Sequence, residues 1–247
     1  MRWWGAVADG LRRAVSRWDL DLLRAYPYFL PKKLLREKIR TAAPHVGGTV
    51  LDLGCGDRPY RSLFPNVRRY VGMDLDPRRR PDVIGSAEHL PFRDGVADAV
   101  LCTEVLEHCP NPEAVLREIG RVLRPGGVLV LTTPMCWNLH YEPHDYFRFT
   151  RYGLALLAGR AGLRIVRVER VGGVFALCGA RLTEVVCKTT ARALKWGPRP
   201  IARLLVSALY LAMSGASLAA SRLLDWVDQT DTIGWFVLAQ RPVEEAP

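Results

Sequence analysis

The chain has 247 residues, 49% of them hydrophobic and 24% charged, with a net charge of +10. That length and apolar content exclude a disordered or fibrous chain and suit one large α/β domain with additions. The positive charge is mostly Arg and is spread along the chain; its one compact run, Arg78-Arg79-Arg80, lacks the interleaved aromatics of a single-strand-binding groove.

In chain order, residues 1–46 read as helical. Trp4, Val7, Leu11, Val15, Trp18 and Leu22 recur at helical spacing with Arg12, Arg13 and Arg17 between them. A helix packed on the main domain is the plainest reading, with a lid or a lipid-dipping surface helix as alternatives. Charges at Asp9, Arg12 and Arg13 interrupt any signal-peptide core, so a cytoplasmic protein is expected.

Residues 47–170 alternate strand and helix signals, with strands expected at 49–53, 69–74, 82–84, 97–102, 128–133 and 164–170. Asn111-Pro112 reads as a helix cap and first turn. Val115, Leu116, Ile119, Val122 and Leu123 give that helix an apolar face, and Pro125-Gly126-Gly127 is expected to end it. Thr150 caps a second helix that closes at Gly162. Such alternation predicts a Rossmann-like, doubly wound, mostly parallel sheet.

The first strand breaks at Gly54-Cys55-Gly56, where a backbone without Cβ atoms lets a ligand come close. About twenty residues on, a second strand ends in Asp74, the place for a carboxylate accepting from ribose hydroxyls. A dinucleotide fingerprint needs a third glycine where Pro59 stands, and no phosphate-binding G-x-x-x-x-G-K-[ST] loop occurs. A nucleoside cofactor without phosphates fits better.

Residues 171–232 form an insertion with a charge-free stretch from Leu204 to Ser221. Its length is borderline against the ~20 residues of a membrane span. Residues 233–247 hold a final strand that must rejoin the sheet, so a buried or interfacial helix is favoured over a span. The six cysteines have no zinc-like spacing and read as small thiols of a reducing compartment.

The segments VLDLGCG, YVGMDLDP, AEHLPFRDGVADAVLCTEVLEH and REIGRVLRPGGVLVLTTP, in this order, resemble the class I S-adenosylmethionine-dependent methyltransferases. The resemblance covers most of residues 48–170 and is closest to small-molecule and quinone-type members. It implies a seven-stranded sheet with the last strand antiparallel, and S-adenosyl-L-methionine as cofactor. By that resemblance Asp52, Gly54, Cys55 and Gly56 hold the methionine end. Asp74 takes the ribose, Leu75 lies beside the adenine, and Ser86, Ala87 and Glu88 meet its amino group, with Ser86 replacing the usual Asp. Thr103 and Glu104 line the sulfonium side. The subgroup with Pro59-Tyr60 after the glycine turn often carries a PHDYxRFT-like stretch, matched here by Pro143 to Thr150.

Methyl transfer to a hydroxyl benefits from a base. His144 and His140 are the candidates, with Asp145 orienting a histidine, and Tyr141, Tyr146 and Arg148 are expected at the acceptor. His140, Glu142, His144 and Asp145 are also ligand types. Pro143 prevents the helical presentation of a zincin, so no metal is expected. His108 reads as structural. The expected acceptor is small or amphiphilic (a natural product, a quinone or a glycan- or lipid-like molecule) and is methylated on O or N, with peripheral membrane contact allowed. The alternatives are an RNA methyltransferase, although no RNA-binding module is recognisable, and a non-catalytic membrane-surface protein.

Overall fold

The structure, a computed structural model, describes residues 29–194 and 198–243. The helical pattern read over Trp4 to Leu22 lies outside them. The described residues fall into two compact units: Leu34–Val171 with the chain from Thr230 on, and Gly172–Gln229 with residues 29–33.

The first unit is built on seven strands: β1 (Gly48–Leu53), β2 (Val67–Asp74), β3 (Val83–Ile84), β4 (Ala97–Thr103), β5 (Leu123–Pro134), β6 (Arg164–Val171) and β7 (Gly234–Gln240). Their order is 3-2-1-4-5-7-6. Strands β1 to β5 pair in parallel, and β7 runs antiparallel between β5 and β6. The expected doubly wound sheet with an antiparallel last strand is therefore the fold observed.

Period-two alternation separates the two faces of the sheet. Leu51 and Leu53 of β1, Val100 and Cys102 of β4, Leu129 and Leu131 of β5, and Trp235 and Val237 of β7 pack into one core. Val50, Ala99, Leu101, Val130, Phe236 and Leu238 pack into the other. Strands covered on both faces read as continuous apolar runs, as these do. The first face is covered by α2 (Pro112–Val122) and α3 (Arg151–Arg160), the second by the Leu35–Ile39 part of α1 (Phe29–Arg40).

The caps form as read from sequence. Asn111 Oδ1 accepts from Ala114 N at 3.1 Å and Thr150 Oγ1 from Gly153 N at 3.1 Å, each worth about 1 kcal/mol. Helix α2 ends at Val122, earlier than expected. Pro125-Gly126-Gly127 lies inside β5, where Gly126 takes φ +79° and its N donates to Arg241 O beyond β7. The Pro-Gly-Gly turn thus opens a strand instead of closing a helix.

The second unit contains α4 (Val174–Ala193) and α5 (Arg199–Leu224). Val206 and Tyr210 of α5 bury against Cys187 of α4. Asp225 accepts from the Gly173 and Phe175 amides at 2.8 Å each, and so caps the start of α4. The stretch Pro200–Leu224 has a mean hydropathy of 1.6 and is long and apolar enough to cross a membrane by length and composition.

Strand order reverses between β1 and β4. Open α/β sheets bind ligands at the carboxyl ends of strands flanking such a switch point, and here those ends carry the glycine turn and Thr103-Glu104.

Candidate functional site

Beyond β1 the chain turns through Gly54 (φ +61°), Cys55 and Gly56 (φ +47°). A Cβ on Gly54 would stand 2.4 Å from Val105 Cγ2, so glycine lets this turn pass against the loop after β4. A Cβ on Gly56 would meet nothing within 4 Å among the described residues. Cys55 lies buried between them, its N donating to Met73 O at 3.0 Å.

Asp74 ends β2 next to that turn. Its Oδ2 accepts from Gly56 N and its Oδ1 from Asp76 N, both at 2.9 Å. The two amides fix the carboxylate's orientation, and each oxygen keeps a second acceptor position. Leu75 beside it is 69% exposed, an apolar surface free for a flat ring.

Asp52 is buried, and the Tyr70 hydroxyl donates to its Oδ2. Its Oδ1 has no hydrogen-bond partner among the described residues. Burial pushes its carboxyl up to about 7, against the Tyr70 bond and the charge of Arg58. An orphaned buried carboxylate oxygen carries a desolvation penalty that a donor or cation would relieve.

The Ser86 to Glu88 loop is braced from inside. Ser86 Oγ accepts from Glu88 N at 3.2 Å, and Glu88 Oε1 accepts from Asn111 N at 2.7 Å, ahead of α2. One Glu88 oxygen is thus committed to the protein. Ala87 is buried.

After β4 comes Thr103, then Glu104 in the left-handed region at φ +54°, its N donating to Thr132 O at 3.0 Å. A short 3-10 turn, Leu106–His108, follows. Glu107 is fully buried, and neither side-chain oxygen has a hydrogen-bond partner among the described residues. Burial pushes the carboxyls of Glu104 and Glu107 above the usual range.

The histidine loop after β5 is clamped onto this turn. Tyr146 N and Phe147 N donate to Glu107 O at 2.9 and 3.3 Å, and His108 Nδ1 meets His144 O at 2.5 Å. His144 is exposed, and its Nδ1 lies 2.9 Å from Tyr146 Oη. His140 Nε2 lies 3.9 Å from Glu107 Oε1. Tyr141 is 71% exposed and Tyr146 45%. The loop after β5 therefore brings His140, Tyr141, His144 and Tyr146 together beside residues that follow β4.

Arg148, expected at the acceptor, is placed otherwise. A guanidinium has five N–H donors, and all find protein acceptors: Asp145 Oδ1 and Oδ2 at 2.7 Å each, and the carbonyls of Trp137, Phe147 and Asn138. No donor remains for an acceptor molecule. Asp145 is held in turn by Arg148 and the His140 amide, which keep its carboxyl well below the usual range. This pair braces the loop, and the sequence reading of Arg148 as an acceptor contact is replaced by that role. The sequence reading passed over Glu107 and took His108 as structural. Their signal was an acid and a histidine at the end of an apolar run, Val105-Leu106, just beyond a parallel strand.

A methyltransferase-domain family profile matches residues 51–131. The chain is 33% identical over 138 residues to an uncharacterized methyltransferase of Mycobacterium leprae, covering 51% of this chain and 49% of that protein. It is 39% identical over 144 residues to an uncharacterized methyltransferase of Mycobacterium sp. strain JLS, covering 53% and 49%. It thus spans about half the length of the curated relatives it matches. Among solved structures it resembles the cyclase SpnF, with TM-score 0.55, 21% identity and coverage of 85% of this chain and 80% of that one. It also resembles an S-adenosylmethionine-dependent methyltransferase from Archaeoglobus fulgidus, with TM-score 0.53, 15% identity and coverage of 84% and 93%. At these identities both show the fold.

The residues present fit S-adenosylmethionine. Asp74 keeps acceptor positions for a ribose, Gly56 opens onto space that a Cβ would fill, and the orphaned Asp52 oxygen suits an ammonium. With the strand order, they agree with a methyltransferase domain over residues 51–131 and with the fold of the class I S-adenosylmethionine-dependent methyltransferases.

Proposed function

We propose that this chain transfers a methyl group to a small or amphiphilic acceptor, at a hydroxyl oxygen or an amine nitrogen. The observation that carries this reading is the juxtaposition of two features. The Gly56–Asp74 cradle stands at the switch point, and the loop after β5 adds an exposed His144 hydrogen-bonded to Tyr146. Bound S-adenosylmethionine supplies a methyl group already activated by a sulfonium. The protein's own part is then to hold the cofactor, align the acceptor and exclude water.

In this reading Asp74 holds the ribose hydroxyls, and the Asp52 to Gly56 turn holds the amino-acid arm. His144 Nδ1–H donates to Tyr146 Oη, which leaves Nε2 free to take the acceptor's proton. Tyr141 and Tyr146 offer flat, exposed surfaces to a ring or chain. Arg148 and Asp145 hold the loop in place. The apolar composition of α5 favours an amphiphilic acceptor and contact with a lipid surface.

The test is a screen of phenolic, quinol, aminosugar and lipid-linked acceptors for S-adenosylhomocysteine release. Turnover of one class, lost in His144→Ala, supports the reading. Tight S-adenosylhomocysteine binding with an unchanged rate in His144→Ala contradicts the assigned base.

A further inference from the structure

The three residues Glu107, His108 and His140 meet in a way the methyl-transfer reading leaves unused. Their ligand atoms all lie within 4.8 Å of one another. His108 Nε2 is 3.7 Å and His140 Nε2 3.9 Å from Glu107 Oε1. The two rings stand edge to face with centroids 4.8 Å apart, and Tyr141 lies across both at 5.4 and 5.9 Å.

The protons of both imidazoles can be placed from their partners. His108 Nδ1 faces the His144 carbonyl at 2.5 Å, and a carbonyl only accepts, so Nδ1 carries the hydrogen. His140 Nδ1 faces the Asn138 carbonyl at 3.1 Å and Asp145 Oδ2 at 3.4 Å, both acceptors, so it too carries one. In the neutral imidazoles each Nε2 then presents a lone pair.

Two lone pairs thus converge on a buried carboxyl group that has no hydrogen-bond partner among the described residues. Three such groups facing one another in a dry place repel unless a proton or a metal ion lies among them. The separations of 3.7 and 3.9 Å exceed a hydrogen bond. They suit ligands that share an ion, since two atoms each about 2.0–2.2 Å from one metal stand roughly 3–4 Å apart. The widest separation, up to 4.8 Å, needs closure of roughly an ångström.

The geometry points to a divalent transition-metal site with Glu107 Oε1, His108 Nε2 and His140 Nε2 as ligands. Two imidazoles and one carboxylate select Zn²⁺, Fe²⁺ or Mn²⁺ over Mg²⁺ or Ca²⁺. The partners of the far nitrogens complete the pattern. Metal-bound histidines commonly donate their other N–H to a carbonyl or carboxylate, which fixes the ring and raises its basicity. His144 O, Asn138 O and Asp145 do this here, and Arg148 fixes Asp145. Three protein ligands leave coordination positions for oxygen donors. Only the ion's role rests on the methyl-transfer reading: there, the oxygen it takes is the acceptor's hydroxyl. The spacing over residues 140–145 predicts no metal; the site draws two of its ligands from the turn after β4.

The test is calorimetric titration of the chelator-stripped full chain with Zn²⁺, paired with S-adenosylhomocysteine titration. The wild type is expected to take one ion with a dissociation constant below about 1 µM. His140→Ala and Glu107→Gln should weaken it by about 100-fold or more, and Asp145→Asn by about 10-fold or more. His140→Ala should keep S-adenosylhomocysteine affinity, which shows that it is folded. Co²⁺ in place of Zn²⁺ reports the ligands: visible bands without intense thiolate charge transfer are expected. No uptake by the wild type, equal uptake by His140→Ala, or a thiolate spectrum from the free cysteines would each overturn the proposal. Zn²⁺ uptake without S-adenosylhomocysteine binding would instead defeat the cofactor assignment and leave the metal site standing.

Discussion

The Tyr70 hydroxyl on β2 donates to Asp52 on β1, and this satisfies one oxygen of a buried carboxyl group while the other has no partner among the described residues. Burial raises the Asp52 carboxyl from 3.8 to about 7. The groups facing it are Tyr70, Arg58 and Asp74. If the cofactor's ammonium completes Asp52, binding favours the ionised form and releases a proton near neutrality. Affinity for S-adenosylhomocysteine should then rise with pH up to about 7 and level off above it, by at most about tenfold per pH unit. Calorimetry between pH 6 and 8 measures this, and Asp52→Asn should flatten the profile.

The raised Asp52 carboxyl also has a consequence for the free protein. It titrates above its unfolded value, so the folded state binds the extra proton between 3.8 and about 7. Stability contributed by Asp52 is therefore lost as pH rises across that window. Asp52→Asn should gain stability relative to the wild type on going from pH 5 to pH 8. The gain should be a few kcal/mol, since each tenfold change in proton affinity is worth about 1.4 kcal/mol. Urea unfolding at the two pH values gives the difference; a gap independent of pH would contradict it.

Gly54 and Gly56 both take positive φ, yet their substitutions should behave differently. Gly54→Ala drives a methyl into Val105 at 2.4 Å and should destabilise the fold. Gly56→Ala meets no atom of the described residues, so it should fold with a loss of about 1–2 kcal/mol from its backbone conformation. It should nevertheless bind S-adenosylhomocysteine about 100-fold more weakly if its methyl enters the space proposed for the cofactor. Melting temperature and calorimetry together separate the two outcomes.

Arg148 joins Trp137, Asn138, Asp145 and Phe147 through five donors. Removing it leaves the Asp145 carboxylate, 2% exposed, without its ion partner. Arg148→Ala should cost about 3 kcal/mol or more, and Arg148→Lys should recover little, since an ammonium cannot reproduce the planar fork. Denaturant unfolding measures both. A loss below about 1 kcal/mol in Arg148→Ala would mean that the loop is held by other contacts.

The core of the fold was legible in the sequence because its signals are local. Val50 to Gly56 is an apolar strand broken by glycines, Asn111-Pro112 is a cap, and Asp74 ends a short apolar run. The mismatches concern pairings that no local pattern encodes. Arg148 read as an acceptor contact because its sequence neighbours are aromatic, while its five acceptors become visible only when the loop closes on Asp145. Glu107 lay in an apolar run and His108 beside it read as structural. Their convergence with His140 depends on β4 and β5 lying side by side, which brings together residues more than thirty positions apart in the chain.

The central claim is that Asp74 anchors a nucleoside cofactor above the Gly54 to Gly56 turn. Its most direct test is the calorimetric affinity of S-adenosylhomocysteine for the wild type and for Asp74→Ala. The account predicts micromolar or tighter binding by the wild type and a loss of about 100-fold in Asp74→Ala, equivalent to about 2.7 kcal/mol of hydrogen bonding to the ribose. Equal affinity in the two proteins, or no binding by the wild type at millimolar ligand, would contradict it.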